Sequence, residues 1–342
     1  MNPQELLTDD GLAMLLLCSM FGAPQSTSPG APAPFTLSEW NQLARKIRAS
    51  SWKRPAGLLG TETAVLAREL QLAPHEAERI RRLLERSGRV ALGLDSLFSR
   101  GMWVATRADR HYPPRLRDTL KHQAPTVIFG AGELALLSGR HIAVVGSRNL
   151  DPAGAEFAQA FARRAVAEGF AIVSGGARGT DLIAMNAALD AGGQCVGVLA
   201  DSLERTIRAP EMRGWLLDRR VTLVTPYAPT AGFSVGAAMG RNKIIYGLAE
   251  FALVVSSEYE KGGTWAGAVE ALKAAWCPVL ARATEDAPKG NGELLKRGAL
   301  PLAEPRVPGA EELNAPRARA ATPAPVEQDL FALGETPPPD QG

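Results

Sequence analysis

Between residues 141 and 282 the chain alternates short apolar runs with longer amphipathic ones. The runs at 142–147, 170–174, 195–200, 221–225, 251–256 and 278–281 are rich in Val, Ile, Leu and Ala and show little polar alternation. Such runs predict strands buried on both faces. The intervening segments predict helices at 152–168, 180–191, 240–249 and 264–275. The first is delimited by Asp151 as N-cap, Pro152 at the first helical position and Gly169 as stop, and the second ends at Gly192-Gly193. Repeated strand–helix alternation gives an α/β fold, a Rossmann-like parallel sheet covered by helices on both faces.

Residues 1–95 carry helical periodicity instead, predicting a small all-helical domain of the SAM or helix-hairpin-helix kind. LLTDDGLAMLLLCSMFG opens it, and a Pro/Ser/Gly loop follows at 23–34. Thr36 and Glu39 then form a capping box at the head of TLSEWNQLARKIRAS. Two further helices, TETAVLARELQL and APHEAERIRRLLERSG, are expected to close at Gly88. GLLG at 57–60 is a weak hairpin signal. Residues 96–304 form the α/β domain, including a lead-in with two strand-like stretches, MWVAT and TVIFGAG, around the polar RADRHYPPRLR. From 305 to 342 the chain is rich in Pro, Ala and Glu, cannot bury a core, and is expected to be disordered. Its one apolar island, VEQDLFALGE at 326–335, could dock on a partner.

Composition narrows the function classes. With 46% hydrophobic and 22% charged residues the 342-residue chain reads as an ordinary globular protein. A net charge of +2 excludes a dedicated duplex-coating protein, so any nucleic-acid contact must come from a local cluster. Three separated cysteines and four scattered histidines, without CxxC or HExxH spacing, support neither a disulfide framework nor a zinc site. The apolar run at 12–23 is too short to span a bilayer and follows acidic residues, so no membrane association is expected and the cytoplasm is the default location.

Candidate chemistry gathers at the carboxyl ends of the strands, where open α/β sheets bind ligands. The first loop offers Gly146, Ser147 and Arg148; the second offers Ser174, Gly175, Gly176, Arg178 and Gly179. Arg241, Asn242 and Lys243 are expected at one helix start, and Lys261, Gly262, Gly263 and Thr264 at another. Glycines allow close backbone approach, free helix N–H groups attract anions, and cations without matched acids would hold several phosphates in a row. The first loop is not GxGxxG and no GxxxxGK[ST] occurs, so neither a dinucleotide nor a P-loop nucleotide is expected, and no cofactor. Asp181 reads as an acidic residue in a helix first turn. His141 lies at the opposite end of its strand, and no Ser–His or Cys–His pair can be assembled, which favours binding over catalysis.

These motifs resemble the bacterial DNA-processing protein A (DprA/Smf) family. Its VGSR, SGxARGID, RNRIIxGL and Gly/Ser-loop signatures appear in order as VGSR 145–148, SGGARGTD 174–181, RNKIIYGL 241–248 and KGGTWAGAVEAL 261–272, after a TRxDxxYP-like lead-in at 106–113. The resemblance covers roughly residues 100–282. It implies a dimeric, single-stranded DNA-binding protein that helps load a RecA-type recombinase in natural transformation, with the DNA-contacting arginine at Arg148 and the basic pair at Arg241 and Lys243. Trp265 or Phe233 could supply a stacking face. The chain departs from the pattern at LADSLERTIRAPEMR (199–213), AMGRN (238–242) and GGTWAGA (262–268), and a C-terminal winged helix is expected to be missing. It therefore reads as a divergent member, and a mobile-element or defence role is an alternative to transformation. A nucleotide sensor or phosphoribohydrolase-like enzyme using Glu270 is the rival reading, and an adaptor acting through the helices and the 326–335 island is a third.

Overall fold

The computed structural model describes residues 7–22 and 32–314. The 326–335 island and all but the start of the 305–342 tail lie outside them. Two compact units are present. One comprises the described residues up to Tyr112 together with Lys121–Ile128; the other comprises Pro113–Leu120 and the described residues from Phe129 onward.

The first unit holds helices α1 (Asp9–Cys18), α2 (Leu37–Ala49), α3 (Thr63–Leu70), α4 (Pro74–Leu84) and α5 (Ser87–Ser99), followed by strand β1 (Met102–Thr106). The capping box forms as the sequence indicates: Thr36 Oγ1 accepts from Glu39 N, and Glu39 accepts from Thr36 N. Gly88 does not close a helix. α4 ends at Leu84, and Gly88 lies inside α5, where no other atom crowds its Cβ position and a glycine costs little beyond its entropy. The lead-in is divided: its residues up to Tyr112 and Lys121–Ile128 cluster with these helices, and Pro113–Leu120 and the residues from Phe129 with the α/β part. Two of its polar residues fasten the first unit internally. Asp109, fully buried, accepts from Thr8 N and Oγ1 (2.9 and 2.7 Å) and from Thr106 N and Oγ1 (2.9 and 2.6 Å). Arg107, also buried, donates to Asn41 Oδ1 at 3.2 Å.

In the second unit come α6 (Pro114–Leu120), the part of β2 (Val127–Ala131) from Phe129, β3 (His141–Gly146), α7 (Pro152–Ala167), β4 (Ala171–Ser174), α8 (Thr180–Asp190) and β5 (Cys195–Val198). They are followed by α9 (Leu203–Ile207), α10 (Pro210–Leu217), β6 (Val221–Thr225), α11 (Val235–Leu248), β7 (Phe251–Ser256), α12 (Gly262–Ala274), β8 (Val279–Arg282), α13 (Lys289–Lys296), β9 (Leu300–Leu302) and a short α14 (Ala310–Leu313) inside the segment expected to be disordered. The strands run in the order β2-β6-β5-β4-β3-β7-β8-β9. The sheet is mixed where a parallel one was expected: β2 pairs with β6 antiparallel, while β6 through β9 pair in parallel. The expected caps of α7 are present, with Asp151 accepting from Gly154 N and Gly169 at φ +79°. β3, β4, β5 and β6 march outward in one direction, and the chain then returns to place β7 on the other side of β3. That reversal creates a switch-point crevice at the carboxyl ends of β3 and β7.

Candidate nucleic-acid interface

A cavity of about 450 Å³ opens at this crevice. Its floor comes from the ends of β3 and β7, one side from α11, and another from the first turn of α12. The loops are held by backbone contacts that only small residues permit. Ser147 N donates to Ser256 O at 2.9 Å, and Thr180 N and Oγ1 donate to Ser147 O at 3.2 and 3.0 Å. Gly179, at φ +87°, sits where a Cβ would lie 2.5 Å from Arg148 O and 2.6 Å from Ser147 O. The second loop is therefore the bed on which the Ser147–Arg148 turn rests.

The fifteen candidate residues divide into two sets. Gly146, Ser147, Arg148, Arg241, Asn242, Lys261, Gly262, Gly263 and Thr264 line the cavity; Ser174, Gly175, Gly176, Arg178, Gly179 and Lys243 do not. Hydroxyl and amide groups of these loops are partly spent on structure. Ser174 Oγ donates to Val144 O (2.6 Å), Thr264 Oγ1 to Gly146 O (3.0 Å) and Asn242 Nδ2 to Gly263 O (3.1 Å). Arg148 and Lys261 are exposed at the cavity and form no ion pair with another described residue. Arg178 is exposed as well, outside the lining.

Two expectations need correction. Arg241, Asn242 and Lys243 do not sit at a helix start, because Ser234 caps α11 by accepting from Ala237 N and the helix begins at Val235. Nor is Arg241 a cation without a matched acid. It is 7% exposed, donates to Val198 O, packs its guanidinium against Gly175, and is attracted to the equally buried Asp181. Asp181 accepts from Gly175 N (3.1 Å) and Ala177 N (3.3 Å), so it ties the second loop rather than merely complementing a helix dipole. Burial pushes its carboxyl above the usual range against the pull of Arg241, and burial pushes the Arg241 guanidinium down. Lys243 is half-buried and shifted down by desolvation, with Glu270 opposing the shift. Glu270, the rival catalytic candidate, is exposed and outside the cavity lining. His141 is fully buried at the start of β3, at the far end of that strand from Arg148.

The chain is similar to known proteins across this α/β region. Residues 103–307 match the DNA recombination-mediator protein A family over more than half of the chain. The chain belongs to this family. Among relatives, it is 30% identical over 170 residues to DNA processing protein DprA of Bacillus subtilis, covering 48% of this chain and 56% of that protein. It is 34% identical over 157 residues to protein Smf of Escherichia coli, covering 44% and 40%. The chain thus spans about half the length of the curated relatives it matches. A solved structure of DprA from Streptococcus pneumoniae superposes with a TM-score of 0.64 at 20% identity, covering 87% of this chain and 96% of that one, which establishes a shared fold.

Within this DNA recombination-mediator protein A fold, Phe233, offered from the sequence as a stacking face, lines the cavity at 54% exposed, and beside it lie two apolar residues the sequence reading did not single out, Val235 and Met239, 72% and 38% exposed. The signal available was the i, i+4 spacing of Val235 and Met239, hidden by placing the helix start at 240. Trp265, by contrast, is buried against Tyr259 with ring centroids 5.1 Å apart.

Proposed function

We propose that this chain is a recombination mediator that binds the backbone of single-stranded DNA at the β3/β7 crevice. The observation that carries this reading is the pairing of two exposed cations, Arg148 and Lys261, with the first turn of α12 around one cavity. Free N–H groups and the positive dipole end of α12 add to the charge. A single strand suits such a groove, since it needs cations spaced along a backbone and no base-edge readout. Family membership supports the same role, and the finer steps follow from it: the strand is handed to a RecA-type recombinase, and the protein works as a homodimer. Binding, not turnover, is the activity of this reading.

The test is fluorescence anisotropy with a labelled oligo-dT. Arg148→Ala and Lys261→Ala are each expected to weaken binding several-fold while leaving the unfolding midpoint unchanged. Wild-type affinity in both variants would rule the crevice out as the binding site.

A further inference from the structure

The densest run of like charge in the chain lies in the first unit, away from the β3/β7 crevice. Residues 45–54 hold five cations and no acid, in a chain with 38 lysines and arginines among 342 residues. Structure accounts for part of this. Lys46 Nζ donates to Gln71 O at 3.0 Å, and Arg54 pairs with Asp10 at 2.9 Å. The dipole of α2 favours a cation in its last turn, where Arg48 stands, but its influence ends there. Arg45 lies before that turn and Lys53 beyond the Ser50 cap. Arg45, Arg48 and Lys53 are all exposed, and the first two are three residues apart on the side of α2 opposite the buried Leu43 and Ile47.

The turn after α2 is built to hold Lys53 in place. Ser50 Oγ accepts from Trp52 N at 3.3 Å, and Asp10 accepts from Ala56 N at 2.7 Å. Trp52 lies flush on Gly57, where a Cβ would come within 2.4 Å of Trp52 Cβ. Lys53 itself adopts φ +59°, a left-handed conformation that glycine would take without strain, so the position keeps its charge against its backbone preference. Two acids reach the turn, and both have partners: Asp10 with Arg54, and Glu69 with Ser51 Oγ at 2.9 Å and Arg68 at 3.8 Å.

We infer that Arg45, Arg48 and Lys53 form a second DNA contact, which holds phosphates of single and double strands alike and acts independently of the β3/β7 crevice. That the polyanion is DNA rests on the recombination-mediator reading above. Cations spread along a helix and the turn after it suit an extended polyanion, whereas a small anion needs donors converging on one point. Phosphate contacts position a nucleic acid without reading its sequence. A membrane surface fits less well, because a helix lying on lipid needs an apolar face to insert, and the apolar face of α2 is buried in the core of its own unit.

The experiment follows the salt dependence of anisotropy for the full chain with oligo-dT and with a duplex of equal length. Each phosphate neutralised contributes about 0.7 to the slope of log affinity against log salt on a single strand and about 0.9 on a duplex. Arg45→Gln/Arg48→Gln/Lys53→Gln is therefore expected to lower the slope by about 2.1 on oligo-dT and about 2.7 on the duplex, with the unfolding midpoint unchanged. The charge-keeping Arg45→Lys/Arg48→Lys/Lys53→Arg is expected to retain the wild-type slopes. Added to Arg148→Ala/Lys261→Ala, the triple change is expected to remove the same amount again, since the two contacts are separate. Wild-type slopes in the triple variant would overturn the second contact and leave the crevice reading standing. A triple variant that loses slope while Arg148→Ala/Lys261→Ala loses none would overturn the crevice alone. Capture of phosphatidylserine vesicles through these three residues, with both DNA slopes unchanged, would assign the surface to a membrane and overturn the inference.

Discussion

Arg241→Ala distinguishes a residue that holds the fold from one that holds DNA. The guanidinium is 7% exposed, lies against the backbone of Gly175 and donates to Val198 O. Its removal leaves Asp181 buried without the cation that offsets its charge. Stripping one partner from a buried charged pair costs roughly 3–5 kcal/mol. The lower edge, about 3 kcal/mol, is expected here, because Asp181 keeps two backbone donors and can take up a proton. Urea unfolding at pH 7 measures it, with Arg148→Ala as the surface control, expected within about 0.5 kcal/mol of wild type. The pH dependence gives a second reading. Asp181 is an acid whose folded value lies above its unfolded one, so its contribution is fullest below the unfolded value and is lost as pH rises toward the folded one. Without Arg241 that loss deepens, and the deficit of the variant should be smaller at pH 5 than at pH 8. Wild-type stability in Arg241→Ala, accompanied by selective loss of DNA binding, would refute the reasoning.

Three further outcomes follow from the geometry. Gly179→Ala forces a side chain into a left-handed position against Arg148 O and Ser147 O, and should cost roughly 1–3 kcal/mol in a thermal melt while also weakening DNA binding through the displaced turn. Thr36→Ala should cost about 1 kcal/mol in urea unfolding; the Arg79 guanidinium beside Glu39 lowers that carboxyl to about 2, so its modest, solvent-screened contribution is present above about pH 4.5 and fades as pH falls toward 2, a slope Glu39→Gln should remove. Burial lowers His141 to about 4; the unfolded chain therefore takes up its proton first, stability falls as pH drops from 6.5 toward 4, and His141→Phe should flatten that fall in calorimetric scans.

The α/β half was legible because its strands are buried on both faces. Continuous apolar runs such as 221–225 and 251–256 carry no other reading, and their ends agree with the observed strands. Helix caps were legible where a side chain makes them, as at Thr36 and Asp151. The sequence misled where glycine was taken as punctuation. Gly88, taken as a stop, lies within α5, and Gly240, taken as a start, lies within α11, because a glycine inside a helix costs only about 1 kcal/mol, which the rest of each helix outweighs. That shift of α11 moved Arg241 from an exposed helix start into the core and concealed the exposed Val235 and Met239. The partnership of Arg241 with Asp181 could not be read locally, since it joins residues sixty positions apart through the order of the strands. The antiparallel β2–β6 pair was hidden for the same reason: strand direction is a property of the connections, not of the apolar run.

The central claim is that phosphates bind at the β3/β7 crevice, and the salt dependence of oligo-dT affinity tests it most directly. Each cation that neutralises a phosphate of a single strand contributes about 0.7 to the slope of log affinity against log salt. The double variant Arg148→Ala/Lys261→Ala is therefore predicted to reduce that slope by about 1.4, with the unfolding midpoint unchanged. A double variant with the slope and affinity of wild type would contradict the account.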